Sequence, residues 1–229
     1  MPLHKIIQVN ETTTAYFWHI TEDITSLFRA VSLQDTSLFR LEGMKSEAHQ
    51  KGFLAVRMLL QHLGYTDYDL TYDEAGKPHL EVKSEKLKVK SFENNLLQPT
   101  SDTQHISISH SNEFSCICIS DELMGIDLEK LKEKTLKIAP RYMEVRHLKN
   151  LSISEQIEKA TVIWGIKESI FKIKNEKGIS FPEHIFEDDF DLIEGKCSAE
   201  LHFNNQTEKF KVHFYQIEDY IFVCAFPNK

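Results

Sequence analysis

The sequence predicts a mixed α+β protein with antiparallel strands, on three observations. Apolar residues recur at helical spacing over about 46–62 and again over 152–173. The stretch from His105 to Ser120 alternates polar and apolar residues across a turn. The C-terminal part reads as a sheet, with Ala199-Glu200-Leu201-His202-Phe203, Phe210-Lys211-Val212-His213-Phe214 and Tyr220 to Phe226 separated by the turn residues Asn204-Asn205 and Glu218-Asp219.

A chain of 229 residues suits one or two domains and can bury a sizeable core. With 41% hydrophobic and 27% charged residues it has the composition of a globular protein. Met1-Pro2-Leu3-His4-Lys5-Ile6-Ile7-Gln8 lacks the apolar run and cleavage site of a secretory signal, and no stretch approaches the ~20 apolar residues of a membrane span. A cytoplasmic protein with no membrane partner is therefore expected. Cys116 and Cys118 share a strand face while Cys197 and Cys224 stand alone, so reduced thiols are expected. A net charge of −8 argues against general nucleic-acid binding.

Taken in order, Tyr16-Phe17-Trp18-His19-Ile20 predicts a first strand, and Thr21 before Glu22, Asp23 and Ile24 predicts a capped short helix. A longer helix runs from Ser46 to His62, with Phe53, Val56, Leu59, Leu60 and Leu63 on its apolar side and Gly64 closing it. Its polar side carries His49, Lys51 and Arg57, and solvation is the ordinary fate of such a face. Asp69 to Tyr72 reads as a strand, and Gly76 and Pro78 mark a turn around Lys77. Val82 to Gln104 is polar and lysine-rich, expected as a surface excursion with a short strand. His105 to Ser111 and Phe114 to Ser120 form a hairpin whose turn is expected to hold Ser109, His110 and Ser111, where an anion could be received.

Gly125-Ile126-Asp127-Leu128-Glu129 alternates carboxylates with aliphatic residues, the pattern of an internal strand with one apolar side. Positions i and i+2 lie roughly 6.6–6.8 Å apart on one face, close enough for Asp127 and Glu129 to reach one hard cation. A strand end whose acids face water is the competing reading. Residues 130–150 follow with seven Lys or Arg (Lys130, Lys132, Lys134, Lys137, Arg141, Arg146, Lys149) against Glu133 and Glu144, a local balance of +5. That island is either a solvated segment or a docking surface for an acidic partner. Ser152 and Glu155 form a capping box that opens the second long helix, on which Trp164, Glu168 and Lys172 make one stripe. Asn175 to Gly178 ends it.

Taken together, Gly76-Lys77-Pro78, Ser107-Ile108-Ser109-His110-Ser111, Gly125-Ile126-Asp127-Leu128-Glu129, Trp164-x-x-Lys167-Glu168-Ser169-x-x-Lys172 and Gly178-Ile179-Ser180-Phe181 resemble the ordered motifs of the 4′-phosphopantetheinyl transferases, in particular the long surfactin-synthetase-activating type. The likeness spans about residues 45–182. It implies an α/β fold of two pseudo-symmetric halves, 1–123 and 124–229, each a small antiparallel sheet packed on a long helix, with coenzyme A in the cleft between them. It also implies a monomer that transfers phosphopantetheine from coenzyme A to a serine of an apo acyl, peptidyl or aryl carrier protein, releasing adenosine 3′,5′-bisphosphate. By the same resemblance Asp127, Glu129 and Glu168 would hold Mg²⁺. Glu168 would accept the serine proton, and Lys172 would stabilise the phosphate charge, with Asp127 as the third catalytic group. Lys77, Pro78, Ser109 and His110 match positions that hold the nucleotide and its phosphates, Arg57 resembles an arginine near the 3′-phosphate, and Lys51 and His49 are looser matches. The basic island 130–150 would receive the carrier protein. A metal-dependent phosphohydrolase would use the same acids but leaves Gly-Lys-Pro and Ser-His-Ser without a role. A noncatalytic carrier-binding module would not require every acid and Lys172.

Overall fold

The computed structural model describes residues 3–81 and 104–228, so the excursion expected from Val82 lies outside the described residues, Gln104 excepted. The chain divides into two units, Met1–Glu122 and Leu123–Lys229. Each holds an antiparallel sheet and one long helix, as an α+β fold requires.

In the first unit, β1 (Leu3–Asn10), β2 (Thr13–His19), β5 (His105–Ser111) and β6 (Phe114–Ser120) form a sheet in the order β1-β2-β6-β5. β1 was not legible in the sequence, and β2 begins before the expected Tyr16. Helix α1 (Ile24–Ala30) is capped by Asp23, whose carboxylate accepts from Ser26 N, so the cap sits two residues beyond Thr21. A second short helix, α2 (Asp35–Glu42), precedes α3 (Glu47–His62). The periodicity that predicts α3 is the face it buries: Phe53, Val56, Leu59 and Leu60 pack with Tyr16, Trp18, Ile106 and Ile117. Gly64 follows its end at φ +84°, a conformation that suits glycine. β3 (Leu70–Tyr72) and β4 (Pro78–Leu80) pair across the turn that carries Gly76 at φ +83°.

The β5–β6 turn is at Asn112 and Glu113, with Asn112 at φ 51°, a left-handed position that asparagine tolerates. The expectation of a turn at Ser109, His110 and Ser111 is thus corrected: all three are strand residues, opposite Cys116, Ser115 and Phe114.

The second unit contains β7 (Gly125–Lys130), α4 (Lys134–Ile138), α5 (Ile153–Lys174), α6 (Phe181–His184), β8 (Ile185–Glu187), β9 (Lys196–Phe203), β10 (Gln206–Ile217) and β11 (Tyr220–Pro227). The strands run in the order β7-β11-β10-β9-β8, all antiparallel. Both members of the Ser152–Glu155 capping box are formed, and Asn175 at φ 50° ends α5. Ile163, Ile166 and Ile170 of α5 lie in one core with Ala199, Leu201, Phe210, Val212 and Val223. β7 is an edge strand, not the internal one its apolar residues predict. Alternation reports on a strand's faces and not on its neighbours: the face of Gly125 and Asp127 is packed on α5, and Ile126 and Leu128 on the other face are buried as well. The four cysteines are free thiols, as expected, and among the described residues no helix is long and apolar enough to cross a membrane.

Candidate active site

Glu168 is brought near the β7 carboxylates because α5 approaches β7 through small residues. A Cβ on Gly125 would stand 2.1 Å from the Ser169 carbonyl oxygen, and one on Gly165 would stand 2.5 Å from Val223 Cγ2 and 3.9 Å from Asp127 Cβ. Backbone lies almost on backbone there. Gly125, Asp127 and Glu129 share the β7 face turned to α5, and the next stripe of the helix, Glu168 and Lys172, is carried to them. Lys172 Nζ donates to Asp127 Oδ1 at 2.9 Å and to Ile126 O at 2.8 Å.

Glu168 responds to this company. Burial raises its pKa, the negative charges of Asp127 and Glu129 raise it further, and Lys172 partly opposes them, leaving it at about 7. Three carboxylates and one ammonium therefore act on each other. The donor set suits a hard divalent cation, which binds oxygen ligands. The side chains do not yet converge as ligands: among the described residues no group of three or more His, Cys, Asp or Glu stands ready to hold a metal ion. The Lys172 ammonium bonds an Asp127 oxygen that such an ion would use.

Lys167 is the residue whose place the sequence did not announce. It is 2% exposed, donates to the carbonyls of Ile185 and Phe181, and faces Glu187 Oε2 at 2.9 Å in an ion pair without aligned hydrogen-bond geometry. Within Trp164-x-x-Lys167-Glu168-Ser169-x-x-Lys172, then, Lys167 ties α6 and β8 to the helix, and Ser169 fits the contact with β7. Trp164 sets its ring edgewise to Tyr142 and Phe181 and packs against the core that α5 forms with the sheet. A buried Glu partner at position 187 was the available signal, but sequence separation hid it.

In the first unit the expected nucleotide residues fall into separate places. His110 is exposed on β5, its ring 5.7 Å from that of His49 and at the place where a Cβ on Gly52 would come within 3.0 Å of it. Ser109 is buried, and strand alternation turns its side chain to the opposite face from His110. Lys51 lies 3.6 Å from Glu47 on the exposed side of α3. Lys77 and Pro78 are at the β3–β4 turn, where Lys77 N donates to Asp73 Oδ1. Burial, then the positive charges of Lys77 and His79, lower the pKa of His105, which places Lys77 beside the end of β5 remote from His110. Arg57 requires a correction. It is 2% exposed, pairs with Asp67 at 2.9 Å and lies 3.4 Å over the Phe53 ring, so its guanidinium is engaged inside the fold. Its place on the polar side of α3 misled because Asp67, ten residues on, folds back to neutralise it.

No family model matches the chain. It is 34% identical over 85 residues to the 4′-phosphopantetheinyl transferase gsp of Aneurinibacillus migulanus, covering 36% of this chain and 35% of that one. To the 4′-phosphopantetheinyl transferase Sfp of Bacillus subtilis it is 27% identical over 146 residues, 60% of this chain and 57% of Sfp. To the 4′-phosphopantetheinyl transferase ffp of the same species it is 27% identical over 169 residues, 70% and 67% of the two chains. The chain is thus similar in sequence to several 4′-phosphopantetheinyl transferases. The matched stretch spans about a third of the length of gsp and over half of that of Sfp. The similarity comes from aligned stretches of sequence, whereas the clustering of Asp127, Glu168 and Lys172 comes from the packing of α5 on β7.

Proposed function

We propose that the protein transfers 4′-phosphopantetheine from coenzyme A to a serine of an apo acyl, peptidyl or aryl carrier protein and releases adenosine 3′,5′-bisphosphate. The observation that carries this reading is Glu168, held near neutrality at about 7 beside Asp127 and Lys172. A general base works best with a pKa near the working pH, and such a group contributes about 10²–10⁴-fold. In this reading the serine oxygen attacks the phosphorus that carries pantetheine, the bond to the nucleotide phosphate breaks, and the serine proton passes to Glu168. Lys172 then offers its ammonium to the charge that develops on the leaving phosphate. Asp127, Glu129 and Glu168 would hold Mg²⁺, which when bound neutralises phosphate charge and orients the oxygens. Positioning and electrostatics account for most of such a transfer.

Sequence similarity supports assigning Lys77, Pro78, Ser109, His110 and Lys51 to the nucleotide and its phosphates. The reading carries with it a cytoplasmic monomer and a carrier protein that docks on residues 130–150. Incubation with coenzyme A, Mg²⁺ and an apo carrier protein, followed by mass spectrometry of the carrier, tests it. A gain of one phosphopantetheine is expected. Breakdown of coenzyme A with an unmodified carrier would show a phosphohydrolase instead, and no change in either would leave a noncatalytic carrier-binding protein.

A further inference from the structure

Resting on the reading of Asp127, Glu129 and Glu168 as cation ligands, we propose that Lys172 is a tethered counter-ion that occupies Asp127 until a divalent cation displaces it. The displaced ammonium is then the one that turns to phosphate. The geometry carries this directly. Lys172 Nζ bonds both Asp127 Oδ1 at 2.9 Å and Ile126 O at 2.8 Å, so the ammonium is seated at the carboxylate and not merely near it. The two partners differ in freedom: the Asp127 side chain is 5% exposed and fixed on β7, whereas that of Lys172 is 30% exposed at the end of a flexible four-carbon stem. Only Lys172 can leave. A monovalent ammonium stabilises the carboxylates less than a divalent ion would, since interaction energy scales with charge, so exchange is favoured once the ion is present.

Competition at one carboxylate makes metal binding and lysine release a single equilibrium, and linkage requires that whatever removes the lysine strengthens the metal. The order of events follows. A cation arrives, Lys172 moves outward, and the anion-binding ammonium becomes available when the cation that holds the same phosphates is in place.

The test is isothermal titration of EDTA-stripped, full-length protein with MgCl₂, without coenzyme A or carrier, for the native chain and Lys172→Met. Loss of the competing charge should make Mg²⁺ bind about tenfold tighter in Lys172→Met. Lys172→Gln, which retains a donor for Ile126 O, should show the same gain, and circular dichroism checks that both variants fold. In EDTA both should also melt below the native protein, with a larger upward shift on adding Mg²⁺. Mg²⁺ binding that is equal or weaker in both folded variants would overturn the counter-ion role and leave the metal reading standing. Absence of Mg²⁺ binding in all three proteins at millimolar concentrations would overturn the metal reading and this inference with it.

Discussion

Glu168 sits where burial and two neighbouring carboxylates all penalise its ionised form, and that has a thermodynamic signature apart from catalysis. Its pKa rises from 4.5 to about 7 on folding, so between those values the folded chain holds more proton than the unfolded one. The contribution of Glu168 to the stability of the metal-free protein therefore falls as pH rises from about 4.5 to about 7, and is constant above. Urea midpoints in EDTA across that range should show this decline in the native protein and a smaller one in Glu168→Gln. Matching slopes would mean that Glu168 does not titrate there. The same variant should lose about 10²-fold or more of transfer activity while remaining folded. Asp127→Asn should chiefly raise the Mg²⁺ concentration needed for coenzyme A use, and near-native turnover across a magnesium titration would remove Asp127 from the site. Arg57 makes the opposite case, a charge whose role is internal. Arg57→Met leaves the Asp67 carboxylate buried without its guanidinium and should cost about 3–5 kcal/mol in urea denaturation, with the coenzyme A KM of the folded protein changed by less than about twofold. A large KM increase without loss of stability would return the guanidinium to the nucleotide.

The pairing of α5 with β7 turns two strand carboxylates into a site, and it depends on missing side chains. Gly125→Ala places a methyl group 2.1 Å from the Ser169 carbonyl, a backbone atom that cannot move without shifting the helix. Gly165→Ala meets the Val223 side chain at 2.5 Å, which can rotate or shift. We expect Gly165→Ala to cost about 1–3 kcal/mol and Gly125→Ala more than that, with transfer lost alongside stability, as read by denaturant midpoints and activity per folded molecule. Equal, small costs would mean that α5 rides higher on β7 than the contact distances state. Both long helices, the cap at Ser152 and the C-terminal turns at Asn204-Asn205 and Glu218-Asp219 were legible because each rests on local signals: period, cap and turn chemistry. β1, with its Lys5-Ile6-Ile7-Gln8 mixture, α2 and the three-residue β8 were not, since they gain their structure from neighbours distant in sequence. The edge position of β7 was hidden because apolar alternation reports which faces are buried and not whether a strand has a partner on each side. At the site, Asp127, Glu168 and Lys172 were readable as a group from motif order, whereas the fates of Arg57 and Lys167 depended on the buried acids Asp67 and Glu187.

Across the molecule, a net charge of −8 makes the +5 of residues 130–150 an exception that surface diffusion of a partner would sense. The segment is built to keep that charge outward. Ala139, Tyr142, Met143 and Leu148 are drawn into the core of the second unit, and Tyr142 Oη donates to Ala160 O on α5. Lys134 and Lys137 on α4, with Arg141 in the helical turn that follows, are left exposed. Burial on one side and charge on the other distinguish this arrangement from a loosely solvated loop, whose lysines would need no apolar anchor. A partner steered by complementary charge meets its site faster at low salt and loses that advantage as ions screen it. Reversing Lys134, Lys137 and Arg141 to Glu should therefore raise the carrier KM by about tenfold at low ionic strength and flatten its dependence on salt. The anchors Tyr142 and Leu148 are untouched by the change, so the melting temperature should stay close to the native one. The KM for coenzyme A, measured with saturating carrier, should move little, because none of the three is among the groups assigned to the nucleotide. An unchanged carrier KM over the salt series would remove residues 130–150 as the docking surface and leave the carrier to be held by contacts nearer the serine.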